Sequence, residues 1–128
     1  MTGILLSLEF DQNAITHVRH LVQRAAHAAG LIGAALEDYV LAVHEAVTNA
    51  VKYGLGPRSI AIWEESGQFC CEVRDSGPGI PYHTLISDEL AEHTPLGGRG
   101  LWLMRRLTHT TIQTSSTGTT VRLAAPLP

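Results

Sequence analysis

Residues 41–54 read LAVHEAVTNAVKYG, and the organisation of the chain follows from them. Val40, Val43, Val47 and Val51 recur at the spacing of one α-helical face, while Asp38, Glu45, Asn49 and Lys52 fall on the opposite side. The spacing predicts a helix from about Ala34 to Tyr53, stopped by Gly54 with Pro57 soon after. Glu45 and Asn49 stand one turn apart, so their side chains share a face. A carboxylate can accept a hydroxyl proton and an amide oxygen can ligate a hard Mg²⁺, and phosphoryl transfer needs both. Taken alone, an ordinary solvent-facing pair reads the same way, but asparagine is a poor helix former and its place mid-helix asks for a reason.

Toward the C-terminus, RSIAIWEE (58–65) and QFCCEVRD (68–75) are strand-like runs joined by Ser66-Gly67, which predicts an antiparallel hairpin. The second run delivers Asp75 into Asp75-Ser76-Gly77-Pro78-Gly79. There the acceptor-only carboxylate could take a hydrogen bond from an exocyclic amine, and Gly77 and Gly79 allow close approach. A plain β-turn explains the same residues. From Ser76 to Arg99 the chain is rich in glycine and proline, with one weak helical segment around Thr84 to Ala91. Loops longer than roughly 12–15 residues are uncommon in compact domains unless they cover a site, so residues from about 80 to 96 are expected to form a lid.

The sequence Gly97-Gly98-Arg99-Gly100 opens into an expected helix ending at Leu107. Backbone N–H groups at such a helix start bind phosphate, and Arg99 could add positive charge, although simple flexibility also accounts for the glycines. Two β-rich runs follow, HTTIQTSS (109–116) and GTTVRLAAP (118–126). Before the central helix, GILLSLEF (3–10) reads as a strand. Asp11 can then cap a helix carrying Ile15, Val18, Leu21, Val22 and Ala25 that stops at Gly30. The order of elements predicts an α+β fold, a two-layer sandwich with helices on one face of a mostly antiparallel sheet, in a single domain spanning residues 1–128.

With 128 residues, 45% of them hydrophobic and 16% charged, the chain can bury a core of its own. A net charge of −3 argues against nucleic acid as a partner. No apolar window is long enough to span a bilayer and no secretory leader is evident, so a cytoplasmic protein without a membrane anchor is expected. Cys70 and Cys71 are adjacent and would face opposite sides of a strand, which suits two structural thiols. The seven histidines show no ligand spacing, and both the P-loop and the dinucleotide-binding glycine patterns are absent.

In this order, EAVTNAVKYG, DSGPGI and GGRGL resemble the N, G1 and G2 boxes of the gyrase, Hsp90, histidine kinase and MutL (GHKL) ATPase superfamily. Within it, LAVHEAVTNAVKYG, DSGPGI, GGRGLWLMRRL and GTTVRL look most like bacterial anti-sigma factor serine/threonine kinases. The resemblance spans roughly residues 8 to 125 and implies the Bergerat-type sandwich with ATP and Mg²⁺ as ligands. It makes Asn49 the Mg²⁺ ligand, Glu45 the base that activates the attacking hydroxyl, and Asp75 the reader of adenine. Gly77 and Gly79 would shape the adenine side, Gly98 and Gly100 would border the phosphates, and Lys52, Gly97, Arg99 and Leu101 would complete the nucleotide contacts. An adenine-assisting threonine is implied at Thr119 or Thr120, with Thr120 the expected one.

The implied activity is phosphorylation of a serine or threonine on an anti-sigma factor antagonist of the STAS type. Binding of an RNA polymerase sigma factor is the companion activity, and a homodimer is possible. A non-catalytic ATP-binding regulator is the alternative. The catalytic part of a histidine kinase fits less well, because the chain starts at Met1 and shows no dimerisation helix with a phosphoacceptor histidine. Some relatives carry an arginine before the G2 glycines, where this chain has Pro95-Leu96, so Arg99 or another residue must meet the terminal phosphate. His44 and Tyr53 are given no role.

Overall fold

The computed structural model describes residues 4–81, 85 and 98–128. Strand β1 (Ile4–Glu9) leads through a short 3₁₀ turn into helices α1 (Ile15–Ala29) and α2 (Gly33–Tyr53). Strands β2 (Ser59–Glu65) and β3 (Gln68–Asp75) follow, then helix α3 (Gly98–Leu107) and strands β4 (His109–Ser115) and β5 (Gly118–Pro126). The sheet runs β1-β2-β3-β5-β4, and every neighbouring pair is antiparallel. This is the expected α+β sandwich.

Local chemistry accounts for the boundaries. Asp11 accepts from the Asn13 N–H at 2.8 Å, so it caps the 3₁₀ turn rather than α1 itself. Gly30 ends α1 in the left-handed conformation at φ 118°, with the Leu31 N–H returned to Ala26 O at 3.0 Å. Helix α3 is described from Gly98, so it includes part of the glycine run. Its first-turn N–H groups need no intrahelical acceptor, so glycines enter it at little cost. Of the weak helical segment expected over residues 84–91, only Leu85 is described, and its N–H donates to Pro81 O at 3.0 Å.

Alternation decides which face of the sheet meets the helices. Ile60 and Ile62 of β2, Phe69, Cys71 and Val73 of β3, and Val121 and Leu123 of β5 are buried against α1, α2 and α3. The buried stripe of α2 is broader than its valines alone: Ala42, Ala46 and Ala50 join Val43 and Val47, while Val40 and Val51 are half-buried. Alanines at one-turn spacing let the α2 backbone approach the sheet and α3, and that closeness brings Asn49 into the site described below. Cys71 lies in this core, whereas Cys70 joins Trp63 and Ala124 on the opposite face.

Tyr39 ties the layers together, donating its hydroxyl to Leu123 O at 2.9 Å and meeting Phe69 edge-on at 5.3 Å. Tyr39→Phe keeps the ring packing and strands the carbonyl. Chemical denaturation should show a loss of about 1–2 kcal/mol with an unchanged slope against denaturant. No helix among the described residues is long and apolar enough to cross a membrane.

Candidate functional site

The C-terminal half of α2, the end of β3, the turn after it, α3 and the start of β5 enclose one cleft. Its empty volume is about 660 Å³ counting the part open to solvent. Ala46, Val73, Leu101, Met104 and Val121 give it apolar walls, and Asp75, Thr119 and Asn49 are the polar side chains used below.

Asp75 stands at the end of the central strand because β3 runs out there into a glycine-proline turn. Its Oδ1 accepts from the Gly77 N–H at 2.8 Å, a local bond that fixes the carboxylate. Burial pushes the Asp75 carboxyl above the usual carboxylate range, while the Gly77 N–H and the nearby charge of Arg58 pull the other way. Gly54 stops α2 as expected, its N–H donating to Ala50 O at 3.1 Å. It has φ −85°, which any residue adopts, and the need is space: a Cβ there would lie 2.5 Å from Asp75 Cγ and from Ala50 O.

Thr119 pairs with Asp75 across the β3–β5 ladder and is buried, its hydroxyl 2.8 Å from that of Thr114. Thr114 Oγ1 also accepts the Ile80 N–H at 2.9 Å, so the turn after Asp75 is held to the β4–β5 hairpin. Gly79 completes this contact at φ 88°, where a Cβ would come 2.2 Å from Ser115 O and 2.8 Å from Thr114 Oγ1. Gly79→Ala therefore meets both backbone strain and a rigid carbonyl. It should lower stability by about 2–3 kcal/mol, measurable by thermal or chemical unfolding.

Asn49 lines the cleft one turn before Tyr53 and touches the first turn of α3. A Cβ at Gly100 would lie 2.8 Å from Asn49 Nδ2 and 3.2 Å from its Oδ1. An amide oxygen thus sits beside the positive end of a helix, where anionic oxygens are favoured. At about 1.5 Å of rise per residue, Asn49 lies roughly 7 Å and Glu45 roughly 13 Å back along α2 from Gly54. The helix therefore sets out in a line the Asp75 end, the amide and the carboxylate.

The predicted residues fall into distinct places. Asn49, Asp75, Gly79 and Leu101 line the cleft. Gly77 and Gly100 pack directly on it through Asp75 and Asn49. Glu45 is half-buried on the same helix but outside the cleft lining, Lys52 is exposed and outside it, and Arg99 is exposed in the first turn of α3. Gly98 begins α3, while Gly97 and most of the expected lid, from residue 82 on apart from Leu85, lie outside the described residues. Thr120 requires correction: β5 alternates, so Thr119 turns into the cleft and Thr120 to the opposite face of the sheet. Sequence reasoning also missed Tyr53 as a lining residue, and it missed Thr114 and Arg58. Their signal is three-dimensional, except that Tyr53 follows Asn49 at i+4 on the same helical face.

These residues suit a purine nucleotide. A narrow apolar cleft with one fixed carboxylate fits a flat ring bearing an exocyclic amine, and a helix N-terminus one end of the cleft away suits phosphates. Asn49 offers one neutral oxygen, enough for a Mg²⁺ that keeps waters and phosphate oxygens as its other ligands.

Similarity to known proteins agrees with this geometry. A family model described as "Histidine kinase-like ATPase domain" matches residues 8–125. The histidine kinase domain of the blue-light activated histidine kinase from Erythrobacter litoralis EL346 superposes with a TM-score of 0.59 at 22% identity, covering 90% of this chain and 60% of that one. A longer structure of that kinase gives 0.56 at 24% identity, covering 88% and 41%. The histidine kinase AdeS of Acinetobacter baumannii gives 0.55 at 18% identity, covering 96% and 68%. At these identities the likeness is one of fold, and the chain spans 60% or less of the first two structures. No curated protein sequence matches the chain.

Proposed function

The chain belongs to the histidine kinase-like ATPase domain family, within the GHKL superfamily, and from that premise we propose that it is an ATP-dependent protein kinase acting on serine or threonine. The observation that carries the reading is the meeting of Asn49, Asp75 and the N-terminus of α3 around one cleft. Asp75 would accept the amine of adenine, with Thr119 beside it, while Gly54, Gly77 and Gly79 let the backbone around the carboxylate pack closely. Asn49 would hold Mg²⁺ through Oδ1, and the first turn of α3 would face the phosphates. Bound Mg-ATP would supply the transferable phosphoryl group and neutralise its charge. Glu45, one turn from Asn49 on α2 and outside the cleft lining, would be the base that takes the proton of an incoming hydroxyl.

The serine/threonine specificity is supported by the family phrases around Glu45, Asp75 and Gly100. The proposed substrate is an STAS-type anti-sigma factor antagonist, with a sigma factor as the second partner and transcription as the regulated process. Incubation with γ-labelled ATP, Mg²⁺ and candidate antagonist proteins tests this. Acid-stable label on a serine or threonine is the expected outcome. Acid-labile label on histidine would favour the histidine kinase reading, and ATP binding without transfer would favour a non-catalytic regulator.

A further inference from the structure

Arg58 lies one residue before β2, behind the cleft and outside its lining. Its Nε–H donates to Ala50 O at 2.7 Å, and its Nη2 donates to Gly54 O at 3.0 Å and to Val51 O at 3.3 Å. These carbonyls belong to the end of α2, where a helix runs out of internal donors and carries partial negative charge. A planar guanidinium fork suits several such acceptors at once, which an ammonium does not.

The same turn of α2 presses on Asp75. Gly54 leaves no space for a Cβ beside the Asp75 carboxyl, and the Ser76 N–H donates to Leu55 O at 2.8 Å. Ser59, next to Arg58, pairs with Arg74, next to Asp75, so one strand start reaches both the helix end and the carboxylate. Of the other groups around Asp75, Lys52 is exposed and outside the cleft. Arg74 is engaged by Glu72 at 2.6 Å, Tyr53 lines the cleft, and Thr119 and Thr114 are uncharged.

We propose that Arg58 is a positioning residue for base recognition: from outside the cleft it locks the last turn of α2, the turn that packs on Asp75. This rests on the adenine-reading role given to Asp75. Burial works against the ionised carboxylate and Arg58 works for it, so the acceptor needed by the base depends on a side chain that does not line the site. The bonds of Arg58 go to carbonyls, so its effect on Asp75 acts through space and through the position of the helix end.

Arg58→Gln and Arg58→Lys test it with two readouts. In the ligand-free protein, a ¹³C NMR titration of the Asp75 carboxyl should move to higher pH in Arg58→Gln and stay near wild type in Arg58→Lys. In ATP titrations across pH, the acid-side loss of affinity should begin at higher pH in Arg58→Gln, and a one-unit displacement weakens binding about tenfold between the two midpoints. Arg58→Lys keeps the charge without the fork and should bind ATP several-fold more weakly at every pH. In an Asp75→Asn background, Arg58→Gln should change affinity less than about twofold, as for residues acting through one another. An unmoved Asp75 titration in folded Arg58→Gln overturns the proposal. If that variant does not fold, wild-type affinity in Arg58→Lys overturns it instead. Absence of ATP binding by the wild type would contradict the nucleotide reading, while the ligand-free titration still decides whether Arg58 governs Asp75.

Discussion

Asp75→Asn is expected to weaken ATP binding about 100-fold while leaving the protein folded. Asparagine has the same shape and keeps an oxygen for the Gly77 N–H, so the turn after β3 loses nothing. What disappears is the charged acceptor, and a hydrogen bond to a charged group contributes about 1.5–3 kcal/mol. The amide also points a donor where the base brings its own. Stability should move the other way. Burial raises the carboxyl above its ordinary value, so the folded state holds its proton more tightly than the unfolded chain does. That contribution favours the fold at low pH and is lost as pH rises through the raised value. Ligand-free Asp75→Asn should therefore be at least as stable as wild type at neutral pH, with the gap closing on acidification. Affinity for ATP follows the opposite course in the wild type, falling as pH drops through the raised value. The acid limb should thus start above the ~3.9 of an unperturbed aspartate. Calorimetric titrations of both proteins across pH separate this limb from the titration of the phosphates, which is common to both.

Glu45→Gln should have the converse signature: ATP affinity within about threefold of wild type, and phosphoryl transfer lower by about 10²–10⁴, the range for loss of a positioned general base. Glutamine preserves size and helix propensity but cannot take a proton. Because Glu45 lies outside the cleft lining, the nucleotide should not sense the change. Equal losses in affinity and transfer would place Glu45 in binding, and unchanged transfer would remove it from the chemistry. The comparison needs single-turnover transfer rates as well as dissociation constants, because slow product release would hide the chemical step.

The elements and their order were legible in the sequence because each announces itself locally. The valines of α2 mark a helix, Ser66-Gly67 a hairpin, Gly30 and Gly54 two helix ends. Asp75 and Asn49 were legible as candidates because they stand in box-like phrases, and the structure brings both to one cleft. What remained hidden depends on packing. Thr119 and Thr120 differ only in which side of β5 they face, and a one-residue choice reverses the answer. Gly54 was legible as the end of α2, but not its second role: its lack of a side chain makes room for Asp75. Arg58 could not be read at all, because its acceptors are main-chain carbonyls without a sequence signature.

The most direct test of the nucleotide site is a ¹H–¹⁵N NMR titration of the wild-type chain with Mg-ATP. Saturable shifts should concentrate at Gly54, Gly77, Gly79, Thr119 and Gly100, and they should be lost in Asp75→Asn. Shifts confined to the α1 face, or none at millimolar Mg-ATP, would contradict it.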